Sequence, residues 1–158
     1  MIIKGLFDED FINYKKPSMF ISFPYCSFKC DKEFGKNLCQ NSSLAKSPNI
    51  EVDVEKIVDR FISNDITKAI VLGGLEPLDS FDDVIKFIKS VRNRGCLCDI
   101  IIFTGYYESE VQEYINKLKQ FENIIVKFGR YVPNNKPHYD GVLGVDLASD
   151  NQYAVKIS

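Results

Sequence analysis

Apolar positions along this chain alternate between short continuous runs and helical spacing. The run at residues 19–23, MFISF, ends at Pro24 and predicts a strand. Val54, Ile57, Val58, Phe61 and Ile62 recur at i, i+3, i+4, i+7 and i+8, which places them on one face of a helix. Residues 69–72, AIVL, are stopped by Gly73-Gly74, as expected of a strand buried on both faces. Ser80 and Asp83 give a start resembling a capping box. Phe81, Val84, Ile85, Ile88 and Val91 then mark a second helix, closed by Gly95. Residues 100–103, IIIF, predict the next strand, which exits through Thr104-Gly105-Tyr106. Val111, Tyr114, Ile115 and Leu118 mark a third helix, and residues 124–126 a further strand stopped near Gly129.

The order is β-loop-α-β-α-β-α-β. It predicts an α/β fold of parallel strands joined by right-handed helical crossovers. In such folds ligands bind beyond the carboxyl ends of the strands. Three segments fall at that end: the loop after residue 23, the turn Gly73-Gly74-Leu75-Glu76-Pro77, and the turn Thr104-Gly105-Tyr106. From Pro133 onward Pro, Asn and Gly interrupt the pattern, predicting a loop and one or two short extended segments at an edge. No repeat, low-complexity stretch or linker divides the chain, so residues 1–158 are expected to form a single domain.

With 45% hydrophobic and 27% charged residues, the chain is of globular rather than disordered composition. Its net charge of -2, with Lys and Arg dispersed, shows no electrostatic footprint for nucleic acid. The apolar runs are too short to span a bilayer, and the N-terminus turns acidic where a signal peptide needs apolar residues. These features predict a cytoplasmic protein that engages neither membrane nor nucleic acid. Five cysteines in a reducing compartment argue against a disulfide framework.

Three of those cysteines, Cys26, Cys30 and Cys39, lie in the loop FPYCSFKCDKEFGKNLCQNSS among Lys29, Asp31, Lys32, Glu33, Gly35, Lys36, Asn37 and Gln40. So polar a setting does not suit core cysteines. Three thiolates can hold a soft metal centre, and a [4Fe–4S] cluster held by three rather than the usual four keeps one iron open. A structural zinc site needs four ligands, and His138, the only histidine, is distant in sequence and reads as an ordinary loop residue. Cys96 and Cys98 stand two apart at the entry to a strand, on one side of it, and read as structural rather than as a fourth ligand or a redox pair. Glycines at 73 and 74 would let a ligand approach the backbone closely, and Glu76 could accept from a ligand ammonium group. Taken alone, that turn is better read as an ordinary tight βα turn, and the Thr-Gly-Tyr turn has the same ambiguity as a common strand exit.

With these residues in place the chain resembles a radical S-adenosylmethionine (SAM) protein, and more narrowly the activating protein of the anaerobic ribonucleotide reductase. That family carries CxxxCxxC after its first strand, followed by an Asn. Cys26 and Cys30 keep the first spacing, Cys39-Gln40-Asn41 resembles the end of the motif, and six additional residues separate the second and third cysteines. Leu38 stands where an aromatic residue commonly precedes the third cysteine. GGLEP resembles the family's GGEP or GGDP turn with Leu75 inserted, and Thr104-Gly105-Tyr106 matches a family segment. Residues 128–132, FGRYV, resemble its DGxF segment, with Lys127 where an acidic residue is expected. Residues 148–152, ASDNQ, resemble its late GSSNQ with an insertion.

The resemblance implies an incomplete parallel β/α barrel of the radical SAM type. It implies a [4Fe–4S] cluster on Cys26, Cys30 and Cys39, whose open iron takes the amino and carboxylate groups of SAM. Gly73, Gly74, Glu76, Thr104 and Tyr106 would then contact SAM. Reductive cleavage would yield a 5′-deoxyadenosyl radical that takes a hydrogen atom from a glycine of a large partner, the anaerobic ribonucleotide reductase. The electron donor would be a flavodoxin or ferredoxin, and Asn151 and Gln152 would shape the opening to the partner. Two other readings stay open: a radical SAM enzyme acting on a small molecule or peptide, and a non-enzymatic iron–sulfur or zinc module.

Overall fold

The computed structural model describes residues 1–35, 39 and 41–158; Lys36, Asn37, Leu38 and Gln40 of the cysteine segment lie outside the described residues. In chain order the first elements are β1 (Ile2–Ile3), β2 (Gly5–Asp10), β3 (Ser18–Phe23), α1 (Lys29–Phe34), α2 (Ser42–Lys46), β4 (Ile50–Glu51), α3 (Val54–Ile62) and β5 (Ala69–Gly74). There follow α4 (Phe81–Asn93), β6 (Asp99–Phe103), α5 (Gln112–Leu118), β7 (Ile124–Phe128), β8 (His138–Asp140), β9 (Val145–Leu147) and β10 (Tyr153–Lys156).

The four strands predicted from the apolar runs, β3, β5, β6 and β7, lie side by side and parallel. Their alternation sorts the core. Ile70, Leu72, Ile100, Ile102, Ile124 and Val126 face the helices, where Val58, Phe87, Ile88 and Ile115 are fully buried with them. Ala69, Val71, Ile101 and Ile125 face the other way, against Tyr14, Leu143 and Leu147. Burial on both faces explains why these strands are continuously apolar. The predicted helices also form: α3 buries Val54, Ile57, Val58 and Phe61, and the Asp53 side chain caps it by accepting from the amide of Glu55 at 3.1 Å. At α4 the predicted capping box is absent, since Ser80 makes no side-chain cap bond.

The expected incomplete barrel is not formed. The sheet has six strands in the order β10-β7-β6-β5-β3-β2 and is mixed, because both outer strands run antiparallel to their neighbours. A barrel must bring its first and last strands together; here β2 and β10 are opposite edges of an open sheet. After β7 the chain does not supply another crossover. It folds back through the β8–β9 ribbon, which places Leu143 and Leu147 on the face a barrel would enclose, and then adds β10. The tail thus contributes three strands where one or two were expected, and β2 carried no apolar signal because its side chains alternate between half-buried and exposed.

The register brings the carboxyl ends of the parallel strands level: Phe23 pairs with Gly74, and Phe103 with Lys127. Gly74 has φ +82°, and a Cβ there would stand 2.7 Å from Ser22 Cα and 3.0 Å from the Phe23 nitrogen. Backbone conformation and the close approach of β3 both demand glycine. Gly74→Ala is therefore expected to lower the stability of the cluster-free protein by about 1–3 kcal/mol, read as a lower urea midpoint. An unchanged midpoint would contradict this account of the turn.

Candidate functional site

Beyond the strand ends the cysteine loop, the turn after β5 and the turn after β6 enclose a cavity of about 580 Å³. Cys26, Cys30 and Cys39 all line it. Cys26 follows β3 directly, and its sulfur accepts from the Phe28 amide at 3.2 Å. Phe28 adopts a left-handed conformation (φ 51°) that turns the chain into α1, which carries Cys30. Asp31 of the same helix accepts from the Cys39 amide at 2.9 Å, drawing the third cysteine back toward the second.

Polar bonds lock this loop onto the neighbouring turns. Asp79 accepts from the Ser27 amide at 2.6 Å and from the Tyr106 hydroxyl at 2.5 Å. Asn41 donates to the Gly74 carbonyl at 2.6 Å, and the Glu76 amide to the Tyr25 carbonyl at 2.8 Å. Lys29 pairs with Glu110 at 3.2 Å while lying 4.4 Å from the Tyr106 ring centroid. Arg130, just past β7, meets Glu110 at 2.7 Å and Glu33 of α1 at 3.1 Å.

Of the other residues singled out in the sequence, Gly74, Glu76, Thr104 and Tyr106 line the cavity. Gly73 does not; a Cβ there would press within 2.8 Å of the Phe20 ring. Glu76 is buried, and its two carboxylate oxygens accept from the Leu78 amide at 3.1 Å and the Gly105 amide at 2.8 Å. It thereby joins the turn after β5 to the turn after β6. Burial nonetheless outweighs these bonds and raises its carboxyl from 4.5 to about 7. Gln152 lines the cavity, whereas Asn151 donates to the Arg130 carbonyl at 2.8 Å. Neither His138 nor the Cys96–Cys98 pair lines it; the pair sits at the amino end of β6, its carbonyls held by Arg92 at 2.7 and 3.0 Å.

Asp79, Lys127 and Arg130 are part of this site and were not foreseen as such. Asp79 carried no reading in the sequence, and Lys127 stood out only as a departure from a family segment. Their placement depends on which loops meet across the sheet, for which spacing along the chain carries no signal.

Two of the thiols, Cys26 and Cys30, are held protonated by their surroundings. Burial pushes Cys26 up to about 12, assisted by the charges of Glu76, Asp79 and Cys39 and opposed by the Phe28 amide. Cys30 is raised too, by burial and then by Cys39 and Asp31. Metal binding at these sulfurs must therefore release protons. Among the described residues, no three or more His, Cys, Asp or Glu side chains are gathered tightly enough to hold a metal ion. The ligands of a lone zinc ion must meet within about 2.3 Å of one centre. The three thiols line one wide cavity, Cys30 and Cys39 close enough to interact directly.

Comparison with known proteins agrees with that donor set. The family described as "4Fe-4S single cluster domain" matches residues 17–146, which covers all three cysteines and every turn of the cavity up to β9. A further comparison finds 92 residues, 56% of the chain, similar to "Multidrug resistance regulator 1" of Candida albicans at 29% identity. The stretch amounts to 8% of that protein's length. Among the described residues, no helix is long and apolar enough to cross a membrane.

The raised carboxyl of Glu76 has a defined sign. Its proton is held more tightly in the folded chain, so its contribution to stability is full below about pH 4.5 and is lost as pH rises toward 7. Urea unfolding of the cluster-free protein should show this loss, and Glu76→Gln should flatten it; an unchanged slope in the variant would refute the assignment.

Proposed function

The chain belongs to the 4Fe–4S single cluster domain family, and from that premise we propose that Cys26, Cys30 and Cys39 hold the cluster and leave one iron open to an exogenous ligand. The observation that carries this reading is the convergence of all three thiols on one cavity with Gly74, Glu76, Thr104 and Tyr106. When bound, a cluster of this kind with SAM at its open iron supplies one electron that cleaves SAM to methionine and a 5′-deoxyadenosyl radical.

The residues of the chain have separate tasks in this scheme. Asp31 and the Phe28 amide orient the cysteine segment, the amide donating to the Cys26 sulfur. N–H bonds to ligand sulfur are one of the levers that set cluster potential. The Gly74 carbonyl is taken by Asn41, so the glycine's part is to let the turn run close beside β3. Glu76 accepts from the Leu78 and Gly105 amides and from the Thr104 side chain, and the acceptor capacity left over can take a ligand ammonium. Tyr106, fixed by Asp79 and Ser27, covers the cavity and limits water.

The finer reading is an activase. The open sheet leaves the cavity without a full ring of strands, so a large partner that closes it, a glycyl-radical protein of the anaerobic ribonucleotide reductase kind, suits the geometry. A flavodoxin or ferredoxin would supply the electron.

Anaerobically reconstituted protein is expected to take up about four iron and four sulfide per chain. Cys26→Ala, Cys30→Ala and Cys39→Ala should each abolish uptake, while Cys96→Ala and Cys98→Ala should not. Stoichiometric zinc without iron uptake would defeat the cluster assignment. With dithionite the loaded protein should convert SAM to 5′-deoxyadenosine, and with the host's reductase it should give a glycyl doublet by electron paramagnetic resonance. Cleavage without that doublet would remove the activase reading and leave SAM chemistry standing.

A further inference from the structure

Two thiols outside the cavity have no part in the scheme above. Cys96 and Cys98 sit at the amino end of β6, whereas the cluster cysteines gather beyond the carboxyl ends of the strands. The five residues of β6, at about 3.3 Å each, keep the two sets roughly 15 Å or more apart. Both thiols are partly exposed and pack at the border of the helix-side core, while Leu97 between them points to solvent, 56% exposed. The two sulfurs are therefore on one side of the chain, close enough to interact directly.

The backbone that carries them is clamped at three successive carbonyls. Arg92 donates to those of Cys96 and Cys98 at 2.7 and 3.0 Å, and Asn123 to that of Leu97 at 2.9 Å. The same guanidinium reaches the Glu122 carbonyl at 2.6 Å, so α4 and the turn before β7 hold the segment between them. The spacing of the thiols is thus set before any ligand arrives. Among the described residues Arg92 forms no ion pair, and its buried Nε has no hydrogen-bond partner. Its charge acts on Cys98, where it opposes the upward push that burial and Cys96 exert on that thiol.

A thiol pushed up to about 12 is a poor nucleophile at neutral pH, which argues against thiol–disulfide exchange at Cys98. A fixed pair of sulfurs suits instead a soft ion that displaces both protons. Structural zinc and iron–sulfur centres take four ligands, and among the described residues no third Cys, His, Asp or Glu joins this pair. Copper(I) favours thiolates and is satisfied by two. Two thiolates on copper(I) carry one net negative charge, which the unpaired guanidinium offsets. We propose that Cys96 and Cys98 form a two-coordinate site for one copper(I) ion, with Arg92 as its counter-charge. Binding releases the two thiol protons to solvent and leaves the oxidation state of copper unchanged. The site goes beyond the cluster reading and depends on neither the cluster nor SAM.

Anaerobic titration of the reconstituted protein with copper(I) buffered by bicinchoninate tests it, iron being read on the same samples. One copper should bind per chain with the iron retained, and X-ray absorption at the copper edge should show two sulfur ligands. Arg92→Gln, which removes the counter-charge, should lower copper affinity about 10–100-fold, as loss of an outer partner does. Cys96→Ala and Cys98→Ala should each lower it further than that. A full-length variant with Cys26, Cys30 and Cys39 all changed to Ala should still bind one copper. Copper taken up only at the expense of iron, uptake indifferent to Cys96→Ala and Cys98→Ala, its loss in the triple variant, or unchanged affinity in Arg92→Gln would each overturn the proposal. Failure of iron uptake alone would count against the cluster assignment, and copper bound by the triple variant would still support this site.

Discussion

The rim of this molecule depends on one buried carboxylate. Glu76 takes hydrogen bonds from the amides of Leu78 and Gly105, so the turn after β5 and the turn after β6 share a single acceptor. Each charge-assisted bond contributes about 1.5–3 kcal/mol, yet burial still raises the carboxyl toward neutrality. The group is therefore held against a desolvation cost by the surrounding backbone. Its own amide reaches the Tyr25 carbonyl, carrying the constraint into the cysteine loop. Asp79, three residues on, repeats the device with Ser27 and Tyr106. A cavity lined by three separate loops keeps its shape because two neighbouring acids tie those loops to one another.

Much of the inner sheet was legible because its signal is local. Residues 69–72 and 100–103 are apolar on both faces and stop at glycine-containing turns, and β5 and β6 lie there, covered on both sides. The meeting of the three loops followed from strand order alone. What could not be read were the edges. Strand β2, GLFDED, is acidic and half exposed, and β10, YAVK, buries only Ala154 well. Their antiparallel pairing with β3 and β7 is a long-range choice with no periodicity to announce it. The barrel expectation came from family resemblance, and these edges are what replace it.

The site was legible by residue and less so by reason. The cysteines share a cavity, as their spacing implied, but Gly74 is required first by the approach of Ser22 and Phe23. A glycine beside a ligand pocket can thus be demanded by its own sheet. Lys127 shows the opposite case. A lysine within an apolar strand reads as an interruption, but one residue of register decides whether it faces helices or cavity, and here Ile125 and Lys127 lie on the face away from the helical core.

An open sheet of this size poses a question of enclosure that strands do not solve. Cluster chemistry needs water kept out, and the parallel run ends after β7. The chain closes the space with unlike materials: the cysteine segment on one side, and Leu147, Ala148 and Gln152 of the returning tail on another. Arg130 joins the two, its guanidinium reaching Glu33 of α1 while its carbonyl is held by Asn151 of the tail. Because that arginine is nearly fully buried, its pairings are worth more than those of a surface ion pair, and breaking one would leave a charge stranded. The enclosure of the site therefore rests on a clasp at Arg130 between α1 and the tail. Iron bound by the three thiols would favour the same arrangement, which makes cluster loading a contribution to folding of this rim as well as to its chemistry.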